Sequence, residues 1–402
     1  MTAPASKTFC ILPWVHVYAN PDGNVLPCCV GDYRLPMGNI QNSTLEQTFN
    51  NDKFKTMRKN MLQGKSCKEC LACYRDEADN NDSFRKSSNL QFKKYIPNAL
   101  TNTNDDGSLD DYKLRYLDIR WSNICNYKCR SCSGTYSSSW AKEEGKKNVF
   151  TFAGGTSNDN LYNQFLPHFD TIEEFYFAGG EPLLTDKHYD ILEYLIKHNR
   201  TDVKLRYNTN VSVLKYKNKN ILDLWKQFSN VYIGASLDHY GSRAEYIRNG
   251  TDWKNVETNM RKIRTETPHI SLQTNTVVSL FNVSTLPEFM HYLVDNELVN
   301  DNYDPLFYNI LNPDFYSFDV LPEEFKKQTV EKLLEFNNEQ KNVNLQPVIN
   351  GLTSATYKPN LVSTFLQKTE HYDIIRNENF NKTFPELVGL FQEYQSKNSS
   401  LK

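Results

Sequence analysis

The sequence predicts an α/β fold for its central part, on two observations. From Asp110 onward, six apolar, β-rich runs, "LRYLDIRW", "EEFYFAGG", "VKLRYNTN", "VYIGASLD", "ISLQTNTVV" and "PLFYNIL", are separated by stretches long enough for helices. Three of those stretches, Lys187–His198, Trp253–Arg264 and Leu286–Asn296, repeat apolar residues near i, i+3, i+4 and i+7. Such alternation implies parallel strands joined by right-handed crossovers, and hence an open α/β sheet or a full or partial β/α barrel. The spacing alone leaves both open.

The flanking segments read differently. Near the N-terminus, "PDG" makes a turn between two alternating runs, so a β-hairpin brings Cys10 and Cys28 together. A helix over "TLEQTFNNDKFKTMRKNMLQG" follows, with Ser43 or Thr44 as cap, and leads into "CKECLACYRDE". From Asn80 to Asp111 the chain is rich in Asn, Asp, Ser and Lys and carries little periodic apolar signal, apart from "FKKYIPNAL", a helix or extended segment. The expected division is a cysteine-rich domain over 1–80, a linker over 81–110, the α/β core over 111–320 and a helical C-terminal extension over 321–402. In that extension, "PEEFKKQTVEKLLEF" and "FPELVGLFQEYQ" are amphipathic.

Composition narrows the function. With 46 Lys+Arg against 48 Asp+Glu the net charge is -2, which provides no global footprint for nucleic acid or an anionic membrane. The N-terminus lacks the basic and apolar regions of a secretory signal, and no apolar run approaches a membrane span, so a cytoplasmic location is expected. Nine cysteines in a reducing compartment point to metal ligands, catalytic groups or buried thiols rather than disulfides. All nine lie in the first third of the chain, six from Cys10 to Cys73 and then Cys125, Cys129 and Cys132.

The triplet follows the first strand of the core at its C-terminal end, where α/β folds collect their chemistry. "GGEP" follows the second strand, Asn208 and Asn210 the third, and Ser236 and Asp238 the fourth. Thiolates suit zinc, Cu(I) and iron–sulfur clusters, and a closed site takes four. Three at CxxxCxxC suit a 4Fe-4S cluster with one iron left open; the plainer reading is zinc completed by a distant histidine.

"CNYKCRSC" resembles the signature of radical S-adenosylmethionine (SAM) enzymes, and "FAGGEPLL" resembles their glycine-rich segment after the second strand. The resemblance runs from Leu114 to about Leu311 and implies a partial (β/α)6 barrel of the TIM type. It also implies that SAM chelates the open iron, that one electron cleaves it, and that the 5'-deoxyadenosyl radical abstracts a substrate hydrogen, with the electron supplied by a donor such as flavodoxin or ferredoxin. By the same resemblance, Gly179 and Gly180 let the backbone approach the methionine amino group, Glu181 accepts from it and Pro182 sets the turn. Asn208, Asn210 and Ser236 match strand-end SAM contacts, and Arg248 in "YIRNG" matches an arginine that meets the SAM carboxylate. The plainer reading of each is a loop or capping residue. Many family members carry an aromatic residue or His before the third cysteine to touch the adenine. Here Ser131 stands there, so Tyr127, Tyr136 or Trp140 is expected to supply that contact.

The first cysteine group resembles the twitch or SPASM-type auxiliary-cluster domains of the same enzymes, although such a unit ordinarily follows the barrel. The resemblance implies a second 4Fe-4S cluster on Cys10, Cys28, Cys70 and Cys73, with Cys67 able to replace either of the last two. Cys29, pointing to the other strand face, reads as structural, and His16 as a packed or hydrogen-bonded residue. A zinc ribbon is the rival for this group. The expected function is radical SAM chemistry on a peptide, a protein side chain or a small metabolite. The contrasting reading is a non-catalytic iron–sulfur or zinc protein that transfers electrons or scaffolds a partner; "GGEP" speaks against it, since an electron carrier has no need to bind SAM.

Overall fold

A computed structural model describes residues 6–78, 82–146, 158–300, 303–340 and 343–391, with the side chains of 158–161 left aside. The chain forms two compact units. The first comprises Met1–Ile124, Gly145–Tyr207 and Gln227–Asn230, and the second Cys125–Glu144, Asn208–Lys226 and Val231–Lys402.

In the first unit, β1 (His16–Ala19) and β2 (Asn24–Leu26) form the expected hairpin, with Tyr18 opposite Leu26 and Ala19 opposite Val25. Gly23 closes the turn at φ 84, a conformation that favours a residue without Cβ. A short β3 (Gly38–Asn39) pairs with β2. The core strands of this unit are β4 (Tyr116–Ile119), β5 (Glu174–Phe177) and the first residues of β6 (Lys204–Thr209). They pair in parallel, β4 with β5 and β5 with β6. β1 also pairs in parallel with β4, His16 opposite Tyr116 through Ala19 opposite Ile119, so the hairpin continues the core sheet.

Alternation along these strands separates two faces. Phe175, Phe177, Leu205 and Tyr207 are buried, and the Phe177 ring meets His188 of the helix Asp186–Lys197 at 4.8 Å and Tyr207 at 5.0 Å. The other face carries Asp118, Glu174, Tyr176, Lys204 and Arg206. Each buried Phe or Leu contributes about 1.5–3 kcal/mol by leaving water.

One expectation is corrected here. The single helix over "TLEQTFNNDKFKTMRKNMLQG" is two, Leu45–Phe49 and Asp52–Leu62. Thr44 caps the first in a capping box, and Asn51 interrupts the run because its side chain accepts from Phe54 N and so starts the second. The stretch 81–110 carries helices Phe84–Gln91, begun by the Ser83 cap, and Ile96–Thr101.

In the second unit, β7 (Val231–Ser236), β8 (Ser271–Val278) and β9 (Leu306–Asn309) pair in parallel in that order. The helices Trp253–Glu266 and Leu286–Asp295 fall on the predicted periodic stretches. All six predicted core strands therefore form. The C-terminal part is helical over Glu323–Glu339, Gln346–Ser354 and Pro359–Arg376. "FPELVGLFQEYQ" forms only a short helix, Pro385–Val388, and a turn at Gly389–Phe391; its remainder lies outside the described residues. Among the described residues, no helix is long and apolar enough to cross a membrane.

Candidate functional site

The cysteine triplet lies in the second unit on a loop braced along its length. The Cys125 amide donates to Ser138 Oγ at 3.2 Å, and its carbonyl accepts from Ser139 Oγ at 2.7 Å. Asn126 exchanges hydrogen bonds with Asn210 and Ser212, each 2.9 Å. Lys128 and Cys129 pair antiparallel with Asn249 and Arg248. The Cys132 amide closes a turn on the Cys129 carbonyl at 3.0 Å. Between the cysteines, Arg130 is buried, pairs with Glu378 at 2.7 Å and lies over the Tyr246 ring at 3.9 Å, while Lys128 pairs with Glu143 at 2.5 Å. Alternation thus sends Lys128 and Arg130 into anchoring ion pairs.

Arg248 sits against the sulfur. Its Nη1 donates to Cys129 Sγ at 3.7 Å and its Nη2 to Asp238 Oδ1 at 2.8 Å. Asp238 is fully buried and also accepts from Val277 N at 2.8 Å. Burial pushes the Cys129 thiol up, and the Arg248 guanidinium pulls it back toward the thiolate; burial raises Cys132 to about 12. Arg248, expected at a SAM carboxylate, meets Cys129 and Asp238 through its terminal nitrogens, and its buried Nε makes no hydrogen bond.

The other strand-end residues are likewise engaged. Asn210 holds Asn126 and accepts from Ser212 N at 3.0 Å, and Asn208 accepts from Asn275. Ser236 ends β7 opposite Asn275. Trp140 donates Nε1 to the Cys129 carbonyl at 2.7 Å and is covered by Arg376 at 4.6 Å, so it packs the loop rather than presenting a face. Tyr127 is buried, whereas Tyr136 is half-buried.

In the first unit, the "GGEP" segment lies against the residues that lead into the triplet. Gly180 N donates to Ser122 O at 3.0 Å and Glu181 N to Ile124 O at 2.7 Å. Gly179 has φ +120, and a Cβ on Gly180 would sit 2.2 Å from Ile124 O. The close approach at Gly180 is thus to Asn123 and Ile124 of the chain itself, and at Gly179 to Ser122 and Arg120. Glu181 is buried and caps the turn Pro182–Leu184 by accepting from Leu183 N at 3.1 Å.

The six earlier cysteines all belong to the first unit. Cys10, Cys28, Cys70 and Cys73 line one cavity with Leu12, Met61, Phe84 and Arg85. Cys70 and Cys73 reach it together because a 3-10 turn, Lys68–Cys70, runs into the helix Leu71–Ala78 and places them one turn apart. Cys67 does not line it, and its thiol donates to Met57 O at 3.8 Å. Cys29 does not line it either, and burial raises its thiol to about 12, with Asp118 adding and Arg120 and Arg206 opposing. His16 stacks on Tyr116 at 4.2 Å and bonds through Nδ1 to Tyr116 O at 3.0 Å, and burial lowers it to about 3. Burial, with neighbouring thiols adding to it, pushes Cys10 to about 12 and raises Cys28 and Cys70, and burial with Asp76 and Glu77 nearby raises Cys73. Thiolates in such surroundings form only together with the metal they bind.

Both donor sets fit iron–sulfur clusters in number and chemistry: four thiols around one cavity, and three on a loop whose unit contains no other cysteine. His239, the histidine closest in sequence to Arg248, uses both ring nitrogens, toward Thr285 and the Tyr240 amide. Among the described residues, no three His, Cys, Asp or Glu side chains gather as ligands of a single ion.

Comparison with known families agrees with this organisation. Residues 10–74 match SPASM, an iron–sulfur cluster-binding domain, and residues 119–293 match the radical SAM superfamily. Residues 119–293 are thus a radical SAM domain. Its SPASM match precedes the radical SAM match in the sequence. The radical SAM domain implies a 4Fe-4S cluster and SAM, and the SPASM domain implies auxiliary iron–sulfur binding. The chain is similar to histidine-tagged anSMEcpe with bound AdoMet (TM-score 0.41, 20% identity, 56% of this chain and 58% of that one). It is also similar to Streptococcus suis SuiB bound to precursor peptide SuiA (TM-score 0.40, 15% identity, 81% and 67%). The chain spans 58% of the length of the first of these structures. No curated protein matches in sequence.

Proposed function

We propose that this protein is an enzyme that reductively cleaves SAM and uses the 5'-deoxyadenosyl radical to abstract hydrogen from a peptide or protein side chain. The triplet carries the reading: three thiols on one braced loop, in a unit with no fourth cysteine, beginning one residue after the Ile124 carbonyl that receives Glu181. When bound, a 4Fe-4S cluster with one open iron supplies the electron and a chelation point for SAM.

The chain's own residues then divide the work. Cys125, Cys129 and Cys132 hold the cluster, Arg248 offsets thiolate charge at Cys129, and Asp238 orients Arg248. Asn210 and Ser212 hold the loop through Asn126. Gly179, Gly180, Glu181 and Pro182 seat SAM, with Asn208 and Ser236 at neighbouring strand ends and half-buried Tyr136 as the adenine contact. Cys10, Cys28, Cys70 and Cys73 hold an auxiliary cluster that takes an electron from the substrate or anchors it. The domains in this reading are 1–80, 81–110, 111–320 and 321–402, working in the cytoplasm with a flavodoxin or ferredoxin as reductant.

Anaerobic reconstitution with iron and sulfide, then dithionite and SAM, tests the proposal. About eight irons per chain and formation of 5'-deoxyadenosine are expected. Tight zinc with no SAM cleavage points instead to the zinc scaffold, and clusters without cleavage to an electron carrier.

A further inference from the structure

The helix Pro359–Arg376, in the second unit, inverts the usual pattern in its last turn. Ile374 and Ile375 are exposed, 73% and 47%, whereas the Arg376 side chain is fully buried and Asp373 is mostly so. A helix docked by apolar burial alone would turn its isoleucines inward and its charges to water. Burying the charges instead is costly, and the cost is recovered only where partners and geometry are good.

The partners are the triplet loop and the helix Ser138–Glu143 that follows it. Arg376 donates to Glu143 from Nη2 at 2.7 Å and from Nε at 3.1 Å, and its guanidinium lies 4.6 Å from the Trp140 ring and 4.5 Å from the Tyr372 ring. Trp140 in turn holds the Cys129 carbonyl. Asp373 accepts from Arg130 Nη2 at 3.3 Å and from the Tyr246 hydroxyl at 2.7 Å. Asn377 ends the helix at φ 52, a left-handed conformation that asparagine tolerates, and the reversal returns Glu378 toward Arg130. One Glu378 oxygen takes Arg130 Nη2 at 2.7 Å and the other takes Asn249 Nδ2 at 2.8 Å. Asn249 stands opposite Lys128 in the ladder that pairs Arg248 with Cys129. The end of this helix therefore grips Arg130, between Cys129 and Cys132, and Trp140, on the Cys129 carbonyl.

We propose that Asp373, Arg376 and Glu378 are positioning residues for the SAM-binding cluster, fixing the Cys129–Cys132 turn that carries two of its three thiols. The inference rests on the enzymatic reading only in naming what those thiols hold. Apolar surfaces slide over one another at little cost, whereas directional ion pairs to Arg130 and Glu143 admit one register, and registry is the best-attested use of buried charge. The C-terminal part of the chain thereby acts on the chemistry through the loop, without touching the cluster.

The test uses reconstituted full-length protein and two readouts, hydrogen–deuterium exchange of the peptide spanning Cys125–Cys132 and electron paramagnetic resonance after dithionite, with and without SAM. Arg376→Gln and Glu378→Gln should each speed exchange in that peptide at least about tenfold and shift or broaden the SAM-responsive signal, with the hairpin His16–Leu26 and the auxiliary signal unchanged. Arg376→Lys should recover part of both effects, since it keeps a charge for Glu143 but loses the flat face over Trp140. Glu378→Gln, nearly the same in shape, decides the matter if Arg376→Gln does not fold. Unchanged exchange and an unchanged signal overturn the proposal, as does exchange that rises equally in the hairpin, the mark of a merely structural role. A wild-type protein with no SAM-responsive signal sinks the enzymatic reading instead, and the exchange rates then decide the positioning of the loop by themselves.

Discussion

The two cysteine sites are built from the same parts and differ in one count. Each has a thiol set and an arginine held by a carboxylate: Arg248 with Asp238 at the triplet, Arg85 with Glu77 at the auxiliary cavity. At the triplet the arginine reaches a cysteine sulfur, Cys129 Sγ, whereas Arg85 Nη1 reaches the Phe9 carbonyl, one residue before Cys10. The auxiliary cavity gathers four thiols, and the triplet loop has three. If both sets hold clusters as proposed, the difference teaches that four thiolates would close a site with protein alone, while three beside a guanidinium would leave a position for a ligand from outside.

The comparison breaks most visibly when one site is removed at a time. Replacing Cys125, Cys129 and Cys132 by Ala should lower SAM cleavage at least about 10³-fold and halve the iron content, read by 5'-deoxyadenosine and iron assays. Cys10→Ala should also lower iron but leave SAM cleavage running, uncoupled from product. Next come the arginine supports. Asp238→Ala strands a buried guanidinium and should cost about 3–5 kcal/mol in urea unfolding. Glu77→Ala should cost less, about 1.5–3 kcal/mol, because Arg85 keeps the Phe9 carbonyl.

Asp118, in the first unit, adds a pH signature in the acid range. Burial raises its carboxyl from the ordinary 3.8 to about 6, against the pull of Arg120 and Arg206. The folded chain therefore holds this proton more tightly than the unfolded one. Its contribution to stability is complete below about 4 and is lost as pH rises through about 6. Unfolding across that window should show wild type losing up to about 3 kcal/mol relative to Asp118→Asn. The smallest effect separates two glycines. Gly180→Ala drives a Cβ to 2.2 Å from Ile124 O and should cost about 1–3 kcal/mol. Gly31→Ala beside Cys28 meets its nearest atom, Pro27 Cδ, at 3.0 Å and should cost less, under about 1 kcal/mol by thermal melts.

Local features were legible in the sequence because they are periodic or punctuated. The six core strands, the "PDG" hairpin and the Thr44 cap follow from alternation, turn residues and capping chemistry. Partners distant in sequence were not. Nothing in "HVYA" indicates that it pairs in parallel with "YLDI", so the cysteine-rich segment reads as a separate domain when its hairpin edges the core sheet. Arg248 reads as a SAM contact, and only the ladder with Cys129 shows which sulfur it also faces. Asn126, Arg130 and Asp238 brace the triplet loop, yet only Asp238, at a strand end, carried a sequence signal. Tyr127 and Trp140 look like adenine partners because they are aromatic and near, and burial assigns them to the loop's own packing.

The most direct measurement of the open-versus-closed difference is electron paramagnetic resonance of the dithionite-reduced, reconstituted protein with and without SAM. Two 4Fe-4S signals are expected, of which one shifts on adding SAM; that signal disappears in the Cys125, Cys129 and Cys132 triple variant, and the other persists unshifted. A SAM-dependent shift that survives in the triple variant, or no shift in the wild-type protein, would contradict it.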